Sequence, residues 1–231
     1  MNLILLFEED FIDREHVRLT GRRLAHVTSV HRAAVGDSLV VGVAGGKVGR
    51  GEVVRLDGEA LEMHVVLDRD PPPALPVTLL LALPRPKVLN RVIAGVSSLG
   101  VKRIVLMNAW RVEKSYWKSP RLSEDNLLLQ RVLGLEQARD TILPTIELQR
   151  LFRPYVESLE IDSLALVAHP GAAEECPRAV GKPVMLAIGT EGGFIEAEIA
   201  SLVRAGFTPV SIGERILRVE TAVAALIARL T

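Results

Sequence analysis

Val184-Met185-Leu186-Ala187-Ile188-Gly189-Thr190-Glu191-Gly192-Gly193-Phe194 is a five-residue apolar run that passes without a break into a glycine-rich loop. A short apolar run bounded by turn residues suits a strand buried on both faces, the condition of a parallel sheet. Glu196 and Glu198 then open a helix, so the loop sits at the carboxyl end of a strand, where open α/β sheets bind ligands. Glycines there let backbone N–H groups come close to a ligand. The spacing excludes two common ligands. The loop is not Gly-x-Gly-x-x-Gly and no Lys-Ser/Thr follows it, so neither a dinucleotide nor a triphosphate fits. Glu191 in its middle repels phosphate and favours a cationic or hydroxyl-rich ligand.

Two more strands end in the same way. Pro209–Ile212 runs into Gly213-Glu214-Arg215-Ile216-Leu217-Arg218, and Leu164–Ala168 runs into His169-Pro170-Gly171. Three turn-rich loops after three parallel strands are expected to converge on one pocket, with Ile188, Ile212, Ile216 and Leu217 offering the apolar contact an adenine ring needs. Upstream, Val77–Leu83 reads as a buried strand and Val88–Leu99 as a helix stopped by Gly100. A strand over Arg103–Asn108 follows, then a helix capped by Ser123 with Glu124 and Asp125 in its first turn. The expected class is therefore α/β with a mostly parallel sheet covered on both faces. At the end of the chain, the helix beginning at Val219 holds seven consecutive apolar residues, Ala222 to Ala228. A helix apolar all round must be covered all round, which points to a homodimer.

The N-terminal part has a different texture. Ser38–Val43, Lys47–Leu56 and Ala60–Leu67 alternate apolar with polar residues across Gly45-Gly46 and Asp57-Gly58 turns, the pattern of a small β-barrel or sandwich with one helix near Gly21–His31. Pro71-Pro72-Pro73 and Pro76 form a stiff extended spacer. The expected organisation is a first domain over 1–70, a proline-rich linker over 71–76 and a second domain over 77–231.

Composition narrows the classes further. The 231 residues are 48% hydrophobic and 24% charged, which is globular and not disordered. Lys plus Arg and Asp plus Glu are 28 each, so a globally basic nucleic-acid binder is excluded, but the charge is unevenly spread. Residues 1–70 hold 9 basic and 12 acidic side chains, whereas residues 85–121 hold nine basic ones against Glu113 alone. That window also contains Trp110, Tyr116 and Trp117 in a chain with only 4% aromatics. Cations interleaved with rings suit RNA, whose phosphates take Lys and Arg and whose unstacked bases take aromatic faces. Cys176 is the only cysteine, so disulfides and thiolate metal clusters are excluded and a cytoplasmic location is expected. The run Leu3–Phe7, followed at once by Glu8-Glu9-Asp10, is expected to be a strand and not a signal peptide. No stretch reaches the 18 or so apolar residues of a membrane span, and no cluster has metal-ligand spacing, so neither membrane nor metal is expected.

Leu186 to Phe194, followed by Ile212-Gly213-Glu214-Arg215-Ile216-Leu217-Arg218-Val219-Glu220-Thr221-Ala222, resembles the paired C-terminal signature of the RsmE-type 16S ribosomal RNA uridine-N3 methyltransferases of the SPOUT superfamily. The resemblance extends to His26 through Arg32 with Gly36-Asp37, to Leu99-Gly100-Val101 and to Glu136-Gln137-Ala138-Arg139, and so covers the whole chain. Thr190 stands where the family has Pro, Ser97-Ser98 where Thr-Glu is common, and Ala138-Arg139-Asp140 in place of a Ser-Gly-Arg segment.

The resemblance implies a PUA-like β-barrel followed by a SPOUT-type α/β domain threaded into a trefoil knot. It also implies a homodimer and methylation at N3 of one uridine in 16S rRNA or the small ribosomal subunit. S-adenosylmethionine would be held by Leu166 and His169, by Ile188, Gly189, Glu191, Gly192 and Gly193, and by Ile212, Gly213, Ile216, Leu217, Arg218 and Thr221. Arg218 is the expected stabiliser of charge on the uracil carbonyls, with Glu191 and Glu220 as base or orienting groups. The expected RNA contacts are Arg22, Arg23, His26 and Arg32 in the first domain, and Arg85, Lys87, Arg91, Arg111, Lys114, Trp117 and Lys118 in the second. Two alternatives stay open: a SPOUT-type methyltransferase acting on another rRNA or tRNA site, and a non-catalytic ribosome-assembly factor.

Overall fold

A computed structural model describes residues 2–231 and divides the chain into two compact units. The division falls between Pro73 and Ala74, and the segment Val132–Leu143 returns to the first unit. The sequence reading keeps that segment in the second domain.

The first unit contains β1 (Ile4–Leu6), β2 (His16–Leu19), α1 (Gly21–His26), β3 (Ser38–Val43), β4 (Val48–Leu56) and β5 (Leu61–Arg69). Its five strands form one sheet in the order β1-β3-β4-β5-β2, with β1–β3 parallel and the other pairs antiparallel. α1 continues as a π-helical turn, Val27–His31, that stops at Arg32 in the left-handed conformation. The turn between β4 and β5 forms because Asp57 Oδ1 accepts from the N–H groups of Glu59 and Ala60 at 2.8 and 2.9 Å, the local bond that makes Asp a turn residue. Inward side chains of the alternating strands, including Val41, Val53, Leu61 and Met63, pack with Leu24 and Val27 into one core. Val132–Leu143 is tied to this unit by its polar groups. The Glu136 carbonyl accepts from the N–H groups of Asn2 and Leu3, and the buried Glu136 carboxylate takes both arms of Arg22 at 2.8 and 3.1 Å.

The second unit carries β6 (Leu75–Ala82), α2 (Pro86–Ser98), β7 (Val101–Met107), the start of α3 (Glu124–Ala138), β8 (Thr145–Gln149), α4 (Phe152–Glu157), β9 (Leu164–Ala168), β10 (Val184–Ile188), α5 (Glu196–Arg204), β11 (Thr208–Val210) and α6 (Val219–Leu230). The six strands run in the order β11-β9-β10-β6-β7-β8 and every neighbouring pair is parallel. β10 is buried along its whole length, as its uninterrupted apolar sequence requires. The chain builds outward from β6 to β8 and then resumes at β9 on the other side, so the order reverses where β6 meets β10. In α2, Pro86 stands in the first turn, and Gly100, at φ +90°, turns the chain just past the helix end. Val88, Leu89, Val92, Ile93 and Val96 form its buried face, and α2 packs on α6. No helix among the described residues is long and apolar enough to cross a membrane.

Close packing within the first sheet fixes one glycine. A Cβ on Gly49 would lie 1.8 Å from the Val66 carbonyl oxygen and 2.8 Å from Leu67 Cα, both backbone atoms that cannot swing aside. Gly49→Ala is expected to lower the free energy of unfolding by about 1–3 kcal/mol in urea titration. Gly58→Ala, where an added Cβ meets nothing within 4 Å, is expected to change it by less than about 0.5 kcal/mol.

Candidate functional site

The loops after β9, β10 and β11 enclose a cavity of about 310 Å³ at the carboxyl ends of their strands, within the size range of small-molecule sites. β9 contributes Ala168, His169 and Pro170, and the β10 loop contributes Ile188 through Phe194. The β11 loop contributes Val210 through Gly213 and Arg215 through Leu217, and α6 closes the wall with Val219, Ala222 and Leu226. Ile188 and Phe194 are buried, whereas Ile216 is 81% exposed at the mouth.

Glycine shapes this site at two positions. A Cβ on Gly189 would stand 2.7 Å from Gly193 C and Phe194 N, so the loop can fold back on itself only if that position has no side chain. Gly213 adopts φ +125°, a conformation that L side chains rarely take. Inside the fold-back, Thr190 is buried; its carbonyl accepts from Gly193 N–H at 2.8 Å and its hydroxyl from Gly192 N–H at 3.3 Å.

Bonds from other loops hold the glycine loop in place. The buried carboxylate of Glu198 accepts from Ile195 N–H at 3.0 Å with one oxygen and from Trp110 N–H at 2.7 Å with the other. It therefore caps α5 and anchors the loop after β7 at the same time. Arg111 lines the cavity and donates to the Gly192 carbonyl. Glu191 Oε1 accepts from Arg85 N–H at 3.2 Å, which ties the start of α2 to the same rim.

Of the cofactor residues expected from sequence, the structure brings His169, Ile188, Gly189, Glu191, Gly192, Gly193, Ile212, Gly213, Ile216 and Leu217 to this one cavity. Leu166 instead lies in the core of β9, and Arg218 and Thr221 are outside the lining. Arg218 is the exposed N-cap residue of α6, one position before the lining residue Val219. Glu220, in the first turn of α6, pairs with Arg91 at 2.9 Å. Its carboxyl is held below the ordinary range chiefly by its own backbone N–H at the helix start, with Arg91 adding to the effect. Thr190, Phe194 and Arg111 in the lining, and Glu198 behind it, were not among the residues expected at this cavity. Arg111 and Glu198 act over sequence separations of 81 and 88 residues, for which no local pattern gives a signal.

The expected RNA residues are arranged less uniformly. Arg22 is engaged by Glu136, and Arg23 pairs with the buried Asp10 at 2.5 Å and also donates to the Leu5 carbonyl at 2.9 Å. The rings of His26 and His31 lie 5.2 Å apart, and burial pushes the His26 imidazole pKa down. His31 lines a second cavity of about 210 Å³ in the first unit with Arg139, Asn2 and Ser38, and Arg32 is exposed. In the second unit Arg85, Lys87, Arg91, Arg111, Lys114 and Lys118 are exposed, while Trp117 is half-buried. Among the described residues no group of three or more His, Cys, Asp or Glu has metal-site geometry.

A parallel sheet with a ligand-sized cavity at the ends of three strands defines a binding α/β domain, and a family model described as an RNA methyltransferase domain matches residues 71–231. Ribosomal RNA small subunit methyltransferase E of Synechocystis is 30% identical over 225 residues, covering 89% of this chain and 69% of that protein. The Treponema pallidum protein of the same name is 28% identical over 241 residues, covering 96% and 88%. The fold is shared with the crystal structure of the Neisseria gonorrhoeae ribosomal RNA small subunit methyltransferase E bound to S-adenosyl methionine, at a TM-score of 0.78 and 22% identity over 99% of this chain and 95% of that one. The chain belongs to the ribosomal RNA small subunit methyltransferase E family.

The Glu198 tie gives a direct prediction. Glu198→Gln replaces one acceptor oxygen with an NH₂ group that faces a backbone N–H. Hydrogen exchange at the Trp110 or Ile195 amide is expected to accelerate roughly 5- to 150-fold, the range of about 1–3 kcal/mol for a buried unmet donor. Unchanged exchange at both amides would show that the carboxylate does not hold the loops.

Proposed function

We propose that the chain transfers a methyl group from S-adenosylmethionine to N3 of one uridine in the 16S rRNA of the small ribosomal subunit. The observation that carries this reading is the single cavity on which three strand ends converge. Its walls suit that donor: Ile188, Ile212, Ile216 and Leu217 offer apolar contact to an adenine ring, the glycine-loop backbone offers polar groups, and Glu191 is an anionic complement to a sulfonium. When bound, S-adenosylmethionine supplies an electrophilic methyl group. Uracil N3–H is only weakly acidic, so the chain must take up that proton and steady the charge that spreads onto the carbonyl oxygens. We assign charge stabilisation to Arg218, which stands next to the cavity wall at the start of α6 and has a guanidinium able to donate to a carbonyl oxygen. Glu191, in the cavity lining, takes the proton. Glu220, whose carboxylate form is favoured chiefly by the backbone N–H at the helix start and further by Arg91, orients the basic edge on the RNA side.

The same reading gives the first unit the role of a PUA-like RNA-binding barrel, supported by its five strands and mixed pairing. It reads the second unit as a SPOUT-type domain with a trefoil knot, supported by the chain's passage from β11 through 211–218 into α6, beside the β10 loop and around one cavity. A homodimer is supported by Ala224 and Ala228, two residues of the apolar segment 222–228 that α6 leaves exposed. A cytoplasmic location goes with a ribosomal substrate.

The test is a methylation assay with labelled S-adenosylmethionine on small subunits from cells lacking this protein, followed by mass-spectrometric mapping. One N3-methylated uridine in 16S rRNA is expected; label in tRNA or at another base would overturn the assignment of substrate. Arg218→Ala is expected to lower kcat roughly 10²- to 10³-fold with unchanged affinity for S-adenosylmethionine in calorimetry. Sedimentation at micromolar concentration is expected to give twice the chain mass, and a monomer would contradict the dimer.

A further inference from the structure

Trp110 leaves 79% of its surface in water, on the loop that follows β7. Its backbone is nonetheless fixed. The Trp110 N–H is held by the buried Glu198 carboxylate at 2.7 Å, Ala109 before it and Val112 two residues after it are buried, and Val112 N–H closes the turn onto the Ala109 carbonyl at 3.0 Å. An anchored turn that presents an indole to solvent gives up hydrophobic stabilisation which burying the ring would bring. The next residue, Arg111, lines the cavity and donates to the Gly192 carbonyl, so the exposed ring stands one residue from the candidate site.

Trp117 is used differently. Its indole N–H donates to Asn108 Oδ1 at 2.9 Å, and the Arg150 guanidinium lies over its ring at 4.8 Å. That ring is spent on internal contacts, although the sequence reading expects it to touch RNA. Lys114, Lys118 and Arg121 follow Trp110 and are exposed, while Glu113, the one acid in this stretch, accepts from the Tyr116 hydroxyl at 2.9 Å.

We propose that Trp110 is the platform on which an unpaired base of the RNA substrate stacks beside the methyl-donor cavity. The assignment rests on the RNA-methyltransferase reading of that cavity. A second copy docked patch against patch is the poorer occupant, because it would set Arg111, Lys114, Lys118 and Arg121 against like charge. A polyanion gains from the same cations, and every base has a face that an indole can cover.

Trp110→Ala and Trp110→Phe test the proposal. The readouts are binding of a fluorescein-labelled uridine-rich oligoribonucleotide without S-adenosylmethionine, the KM and kcat for small subunits, calorimetry with S-adenosylmethionine, and sedimentation. Trp110→Ala is expected to weaken oligonucleotide binding and raise the KM for subunits by about tenfold, the loss of one stacked base. Its kcat, S-adenosylmethionine affinity and sedimentation are expected to stay unchanged, and Phe to restore most of the binding. Wild-type RNA affinity in Trp110→Ala, a Phe variant as weak as Ala, or a change in oligomeric mass would overturn the platform. A wild-type protein that methylates no subunit RNA would instead overturn the enzymatic reading beneath it.

Discussion

The Glu198 carboxylate joins two loops that stand 88 residues apart in the chain, and the candidate site depends on that joint. One oxygen caps α5 and so fixes where the glycine loop ends; the other holds Trp110 and so fixes the loop after β7. Because the group is buried, water competes little for either oxygen, and a buried acceptor facing two N–H donors is costly to remove. Arg111 and the Arg85 N–H add two further ties to the glycine loop. The rim of the cavity is thus a set of loops fixed to one another rather than separate turns.

Within that frame the backbone does most of the shaping. The Gly189 fold-back leaves no room for a side chain, and Gly213 takes a conformation only glycine holds without strain. The two loops that carry them meet at one cavity whose walls are mostly apolar and whose charged members are Glu191, Arg111 and Arg215. This division suits a ligand with an aromatic part, a polar chain and a cationic centre. The basic, RNA-facing chemistry is assigned to exposed side chains on neighbouring loops.

Much of this was legible in the sequence because it is encoded locally. β9 and β10 follow directly from apolar runs ended by turn residues, and the glycine loop announces itself by composition. β8 was not read, because Thr145–Gln149 is an edge strand whose residues are half-buried or exposed and so lack a buried-strand pattern. The return of Val132–Leu143 to the first unit was also invisible: a proline cluster marks a covalent linker, whereas this segment is held by the long-range bonds of Glu136. Arg22 and Arg23 were expected to contact RNA, but each is held by a carboxylate, 114 and 13 residues away in the chain. The two tryptophans look alike in sequence; only the fold shows that Trp117 is internally engaged and Trp110 is not.

The central claim is that the loops after β10 and β11 act on one ligand together. Hydrogen exchange followed by mass spectrometry, with and without S-adenosylmethionine, tests it most directly. The account predicts that peptides covering 189–194 and 211–218 gain protection at the same ligand concentration. Protection of only one loop, or of neither while the ligand binds elsewhere, would contradict it.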